Sequence, residues 1–489
     1  MSILLLIPIL APVAAAMLAV VLGWRRLSAS VTVFAALSVL ITGVILAFTV
    51  GSAAQFGVGR LLRVDSLSIT MLIIIGTVGT LATWASIGYI NAELVHGHTD
   101  RKGARLYGVL VPLFLAAMAL AVLANNIGVM WVAIEATTVI TAFLVGHRRT
   151  RAALEATWKY VVICSVGIAL AFLGTILLYF VSLHAGASSD QALDIDVLLA
   201  QAAQFDPAVT RMAAGLLLLG YGAKAGLVPF HTWLADAHSQ SPAPVSALMS
   251  GVLLSVAFSA LLRVKSVVDQ ALGIEFLRAG LLIVGLLTLL IAASLLLVQK
   301  DFKRMLAYSS MENMGLVAIA AAAGTQLAIA ALLLHVLAHG IAKALVFLAS
   351  GQLQAAHDST EISEVTGVLA RSRLVGTAFI VGLAVLLGLP PFAMFASELS
   401  ISRALADADL GWVLGATLLL IAIAFAALVR NGSRMLLGPP RAGSPMIIAP
   451  GSVAGALVTG IILSLALGLS IGPLAQLFNS AAIQLGISQ

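Results

Sequence analysis

Charge is scarce in this sequence: only 9% of its 489 residues are Asp, Glu, Lys or Arg, where soluble domains carry about a quarter. Cysteine is scarcer still. The single Cys164 excludes an internal disulfide, a thiolate-bound iron–sulfur cluster and a CxxCH haem attachment, so no cofactor is expected in this chain and any electron carrier belongs to another subunit. No soluble core accounts for 61% hydrophobic residues and a mean hydropathy of +1.11. The net charge of +6 reflects basic loops at one membrane face, and no nucleic-acid partner is expected.

What is present is apolar sequence in lengths that span a bilayer. Runs of roughly 20 residues predict an all-α polytopic membrane protein with fourteen transmembrane helices at about 2–23, 29–50, 66–91, 107–124, 126–145, 158–183, 210–230, 242–264, 277–298, 305–323, 327–350, 374–396, 410–430 and 451–477. The first run has no basic stretch before it and is followed by Arg25 and Arg26, which reads as a retained span. With the N-terminus outside, the cytoplasmic loops hold sixteen Lys and Arg, among them Arg101, Lys102, Arg105, Arg371 and Arg441, against seven opposite, including Arg263 and Lys265. Both termini are therefore expected outside. The chain divides into three N-terminal spans (1–106), spans four to eight (107–264), spans nine to thirteen (277–430) and a last span (451–477) within one membrane domain.

Three cations, Lys159, Lys224 and Lys343, fall in or at the edges of apolar spans. A charge at the bilayer centre costs at least ~2.5–3.5 kcal/mol, so each needs an explanation. Lys159 is near enough to a span end to snorkel. Lys224 lies in GYGAKAGLVPFHTW, flanked by Gly220, Gly222, Gly226 and Pro229, breakers tolerated at membrane depth only where the freed backbone is enclosed or hydrated. A second break, LLGLPPFAMFASE, contains Gly388, Pro390 and Pro391 and leads to Glu398; two broken helices five spans apart are the pattern of a repeated transporter bundle. Glu135 sits mid-span without a charged neighbour on its own helix. His335, His339 and Lys343 follow at i, i+4 steps, forming one titratable stripe suited to proton relay. Glu312, two turns into its span after Tyr308, Ser309 and Ser310, extends the stripe, and His231 beside the first break is placed on the same path. A metal site at His231, Asp236 and His238 is set aside because Trp233, Pro242 and Pro244 around them suit a packed turn; no metal is expected.

The Glu135 span, GYGAKAGLVPFHTWLADAHSQSPAPVSAL, DFKRMLAYSSMENMG, LLHVLAHGIAKALVFLASG and GLPPFAMFASE together resemble the antiporter-like membrane subunits shared by respiratory complex I, Mrp-type cation/proton antiporters and membrane-bound [NiFe] hydrogenases. EATWKYVVICSVGIALAFLGTILLY and HGIAKALVF are most similar to the F-type subunit of hydrogenase and formate hydrogenlyase complexes, and the length resembles the family's shorter members. The resemblance implies inverted five-helix repeats in spans four to eight and nine to thirteen, with helices seven and twelve broken. It implies Glu135 and Lys224 as an essential pair, His339 and Lys343 as central connecting residues, and Glu398 as the terminal residue of a proton path. It further implies a bacterial or archaeal cytoplasmic membrane, neighbouring membrane subunits, and a peripheral redox arm with iron–sulfur centres and a [NiFe]-type large subunit, with protons as the transported ion. A Na⁺/H⁺ antiporter subunit and a non-conducting scaffold are the alternative expectations. Ser255, where relatives commonly carry a bridging lysine, and Asn313, where many carry histidine, are departures that would interrupt or reroute the path.

Overall fold

The computed structural model describes residues 1–51, 53–440 and 446–486, and Arg441 lies outside them. Six continuous helices follow the first six expected spans: α1 (Ser2–Leu22), α2 (Arg26–Thr49), α3 (Ser66–Val95), α4 (Arg101–Leu123), α5 (Ile127–Val145) and α6 (Arg151–His184). A small antiparallel hairpin, β1 (Gln55–Gly57) and β2 (Leu62–Val64), closes the α2–α3 connection with Phe56 opposite Arg63. After the short α7 (Ile195–Gln201), the seventh span is split into α8 (Pro207–Lys224) and α9 (Trp233–Gln240). The eighth joins α10 (Ala243–Leu248) to α11 (Leu254–Leu272) through a π turn at Met249–Leu253. Then come α12 (Glu275–Leu297), α13 (Phe302–Ala323), α14 (Gln326–His357) and the single turn α15 (Val368–Arg371). The twelfth span is split into α16 (Arg373–Leu386) and α17 (Ala393–Asp407), and α18 (Gly411–Leu437), α19 (Gly451–Leu469) and α20 (Gly472–Gln484) complete the described chain.

Among the described residues, eleven spans are long and apolar enough to cross a bilayer unaided. The other three expected spans are the two split ones and α13, which carries Lys303, Arg304 and Glu312. The chain is thus an all-α, multi-pass membrane protein. Four of its twenty acids cap helix starts: Asp65, Asp100, Asp206 and Asp301 each accept from a backbone N–H of the first turn. Those N–H groups have no intrahelical acceptor, and in a bilayer none is supplied by solvent.

The two breaks share one backbone design. After α8, Gly226 takes φ 78° and the Leu227 N–H reaches back to the Gly222 carbonyl at 2.9 Å; after α16, Gly388 takes φ 60° and the Leu389 N–H reaches Ala384 at 3.0 Å. A left-handed glycine closes each helix end by satisfying carbonyls the helix leaves free. Three residues after each glycine stands a cis proline, Pro229 and Pro391. The letters G-L-x-P-F recur at 226–230 and 388–392, a short identity between the two halves.

Two expectations are corrected. Arg263 and Lys265 are not in a loop: α11 runs on to Leu272, and both are buried. Carboxylates make this tolerable. Arg263 donates to Asp65 at 2.7 Å, Arg63 donates to the same carboxylate at 3.0 Å, and Lys265 pairs with Asp269. The last span is also shorter than expected, because the helix stops at Leu469 and a separate α20 packs against α14 and α3.

The apolar middle of helix α14 and of the α10–α11 span is fully buried, whereas most of α18 faces outward. Helix α14 and the α10–α11 span cross where Gly251, in the π turn, meets Gly340. A Cβ on Gly340 would stand 2.9 Å from the Gly251 carbonyl oxygen, so this crossing requires a residue without a side chain. Gly340 lies between His339 and Lys343 in sequence, so the contact falls within the titratable stripe. Gly340→Val is expected to destabilise the protein by about 1–3 kcal/mol through overpacking. Gly415→Val, where nothing lies within 4 Å of the added atom, should be close to neutral. Thermal unfolding in detergent compares the two.

Candidate functional site: a buried polar chain

Lys224 ends α8, so the break places its ammonium inside the bundle rather than at a membrane surface; it is 1% exposed. Its Nζ donates to Thr138 Oγ1 at 2.9 Å and to the Tyr160 hydroxyl at 2.5 Å, and it lies 4.8 Å from the centre of the Tyr160 ring. Tyr160 is held in turn by Thr141 at 2.6 Å. Glu135 does not touch Lys224 as an ion pair among the described residues. Thr138, one turn along α5, stands on the same face between them, and Glu135 Oε2 has no partner. Two hydroxyls, one of them braced by Thr141, thus serve the ammonium where a single carboxylate was expected.

Glu135 faces a cavity of about 730 Å³ between α4, α5 and α6. The lining includes Gly103, His147 and Arg149 at one membrane face and apolar walls from Leu106, Val139 and Phe143. Burial pushes the His147 imidazole down to about 4, so at neutral pH this end of the cavity holds an uncharged ring beside Arg149.

In the second half, Lys343 is 0% exposed and donates to the Leu306 carbonyl at 2.8 Å and to the Ser309 hydroxyl. Asn313 donates to the Ser309 carbonyl at 2.6 Å and to Glu312 Oε2 at 3.0 Å, and its oxygen meets His335 Nε2 at 2.9 Å. The other ring nitrogen of His335 meets Ser397 at 3.0 Å, immediately before Glu398. Glu398 packs its carboxylate over Gly388 at the second break. Lys343, Glu312, His335 and Glu398 are therefore brought together by α13, α14 and the α16–α17 break. Asn313 is not a gap: its amide bridges a carboxylate and an imidazole.

His339 and His231 are less engaged. Nε2 of His339, one turn from Lys343, and Nδ1 of His231, at the first break, have no hydrogen-bond partner. Ser255 likewise leaves its hydroxyl unpartnered and connects nothing. The residue between the two halves is one that spacing alone did not single out for proton transfer. His238 is fully buried on α9, with its ring 5.9 Å from Trp233, which adjoins Tyr160 at 4.9 Å, and 6.0 Å from Phe347, one turn from Lys343. Its Nδ1 is bonded to the Leu234 carbonyl at 2.7 Å, which makes Nδ1 the protonated nitrogen of the neutral ring and leaves Nε2 as an acceptor with no partner. Asp236 is taken by Lys159 at 3.0 Å and by Arg304, so it does not join His231 and His238. Among the described residues, no three His, Cys, Asp or Glu side chains gather as a metal site would need.

Residues 124–424 match the family described as NADH:quinone oxidoreductase/Mrp antiporter, transmembrane. The chain is 36% identical to a hydrogenase-4 component F homologue of Methylacidiphilum infernorum over 393 residues, 80% of this chain and 82% of that protein. Its fold superposes on a chain of an archaeal membrane-bound sulfane sulfur reductase with a TM-score of 0.88 at 22% identity, covering 99% and 98% of the two chains. It superposes on a chain of respiratory complex I from Thermus thermophilus with a TM-score of 0.74 at 26% identity, covering 95% and 97%.

Asn313→Leu keeps the volume and removes the bridge, leaving Glu312 and His335 each short of a buried partner. The expected cost is about 1–3 kcal/mol per orphaned group. Ser402→Ala, which loses only a bond to the backbone of its own helix, should cost little by the same unfolding measurement. Broken helices at matching positions, a buried chain of lysines, histidines and glutamates through the bundle, and these relationships make this chain a member of the antiporter-like membrane subunit family of NADH:quinone oxidoreductases, membrane-bound hydrogenases and Mrp antiporters.

Proposed function

We propose that this chain is the proton-translocating membrane subunit of a multisubunit oxidoreductase of the membrane-bound hydrogenase and NADH:quinone oxidoreductase class. The observation that carries the reading is the pair of lysines, Lys224 and Lys343, enclosed at mid-membrane with hydroxyl and carbonyl partners and no carboxylate within ion-pair distance among the described residues. A lysine so placed exchanges its proton when hydration or a nearby charge changes, and Glu135 and Glu398 stand at opposite ends to deliver and accept one. The recurring break supports two inverted repeats, spans four to eight and nine to thirteen, each contributing one lysine. The cavity beside Glu135 suits proton uptake from the face that holds His147 and Arg149.

In this reading the chain carries no electrons itself. A peripheral arm with iron–sulfur centres and a [NiFe]-type large subunit performs the redox step, and its conformational or electrostatic change shifts the protonation of the buried pairs. Neighbouring membrane subunits border the chain within the cytoplasmic membrane, and the excess of Lys and Arg on one side supports both termini lying outside. Lys224→Ala should lower proton pumping by the reconstituted complex at least ~10-fold, the equivalent of ~1.4 kcal/mol on the transfer step, while the partner subunits still assemble and turn over. Pumping measured with a pH-sensitive dye in proteoliposomes, normalised to electron transfer, decides it; unchanged pumping refutes the proposal.

A further inference from the structure

The ends of four helices converge on a second cavity, of about 560 Å³, lined by Leu22, Trp24, Arg25, Leu94, Arg101, Lys102 and Arg105 together with Gly23 and Ala104. It lies where α1 and α3 end and α2 and α4 begin, at the boundary of the apolar spans and on the face expected to hold most of the basic loops. Four cations and no carboxylate line it. None of the four is within ion-pair distance of an acid among the described residues, whereas Arg60, Arg63, Arg148, Arg263, Lys265 and Arg304 each are. The nearby acids are engaged elsewhere: Glu93 is bound by Arg148 at 2.6 Å, and Asp100 caps α4 through the Gly103 N–H at 2.6 Å.

The walls are held in place by the chain's own hydrogen bonds and ring contacts. Ser28 ties the turn before α2, accepting from the Arg25 N–H at 3.0 Å and donating to the Gly23 carbonyl at 2.7 Å. The Trp24 indole N–H donates to Asn91 at 3.0 Å, and its ring meets Tyr107 edge-on at 5.7 Å. The Arg105 guanidinium is fixed by the carbonyl of Val20. Four like charges around a preformed cavity repel one another unless an anion enters, and the first turn of α4 adds its own positive end. Arginine forks suit phosphate oxygens, and a tryptophan at the membrane boundary suits the headgroup level. Val20, Val21 and Leu106 are exposed apolar side chains beside the cavity, in position to meet acyl chains.

We propose that this cavity binds the phosphate of an anionic phospholipid headgroup. Basic pockets between membrane helices are a known physical solution for such headgroups, and this one is distinguished from general attraction to the bilayer surface by four cations, none within ion-pair distance of an acid among the described residues, converging on one half-open cavity. The site is independent of the proton path, and its test reads lipid retention rather than transport.

The test is native mass spectrometry of the full-length chain, with the subunits that accompany it, released from nanodiscs of equal phosphatidylglycerol and phosphatidylcholine. The unaltered protein should keep phosphatidylglycerol in preference to phosphatidylcholine. The variant Arg101→Gln/Lys102→Gln/Arg105→Gln should keep about tenfold less, as expected for losing charge-assisted bonds to one phosphate. Arg430→Gln/Arg434→Gln, which removes two exposed cations from α18, should retain as much as the unaltered protein. If the triple variant fails to assemble, Arg101→Gln/Lys102→Gln leaves the Arg105 bond to Val20 intact and should show a smaller loss in the same direction. Undiminished retention in the variants that assemble, an equal loss in the α18 control, or displacement of the lipid by millimolar inorganic phosphate would each overturn the assignment.

Discussion

A lysine ammonium surrounded by hydrocarbon is stable only where hydroxyls, carbonyls or water face it, and the interior of this protein is arranged around that requirement. The break after α8 lets Lys224 end a helix inside the bundle, and Thr138 and Tyr160 come from two other helices to meet it. Lys343 stays within an unbroken α14 and takes its acceptors, the Leu306 carbonyl and the Ser309 hydroxyl, from α13. Neutral acceptors leave either lysine able to give up its proton. A carboxylate in contact would hold it in place, as Asp65 holds Arg263 and Arg63. The cations paired with carboxylates and the two central lysines thus differ by the kind of partner each has.

Packing sets the second condition. The interior spans α14 and α10–α11 approach closely through Gly340 and Gly251, and the π turn in the latter span accommodates that approach. Ser250, beside Gly251, meets Ser310 of α13 at 2.6 Å, so the same crossing ties together the helices that carry Lys343 and its acceptors. The outer helices have less to do with the site. They present apolar faces outward, while their ends carry the basic residues that orient the protein in the bilayer.

Much of this was legible in the residues, for a physical reason. An ionisable group in an apolar run is conspicuous, so Glu135, Lys224, His335, His339, Lys343, Glu312 and Glu398 stand out, as do the Gly and Pro clusters at both breaks. Their partners do not. Thr138, Tyr160, Ser309, Asn313 and Ser397 are ordinary helix residues whose importance comes only from which neighbour they face. Asn313 read as an interruption because an amide cannot titrate as an imidazole does, yet it has both donor and acceptor and links Glu312 to His335. Arg263 and Lys265 read as loop residues because the sequence does not show that Asp65 and Asp269 lie alongside them. In the sequence His238 offers only a metal-ligand spacing, because its place between Trp233 and Phe347 depends on the break folding α9 back.

On the proposed reading, His238 is the residue that would join the two halves into one path. The lysine-bearing positions are separated by aromatic rings, and among the described residues that imidazole is the titratable side chain seated between Trp233 and Phe347, with one nitrogen fixed and the other unpartnered. The most direct test is His238→Gln in the reconstituted complex, with proton pumping and electron transfer recorded on the same sample. Glutamine fills similar space and hydrogen-bonds but cannot carry a proton at neutral pH. The account predicts that electron transfer persists while pumping by this subunit is lost. Full pumping with His238→Gln would contradict a connected path through the centre of the protein.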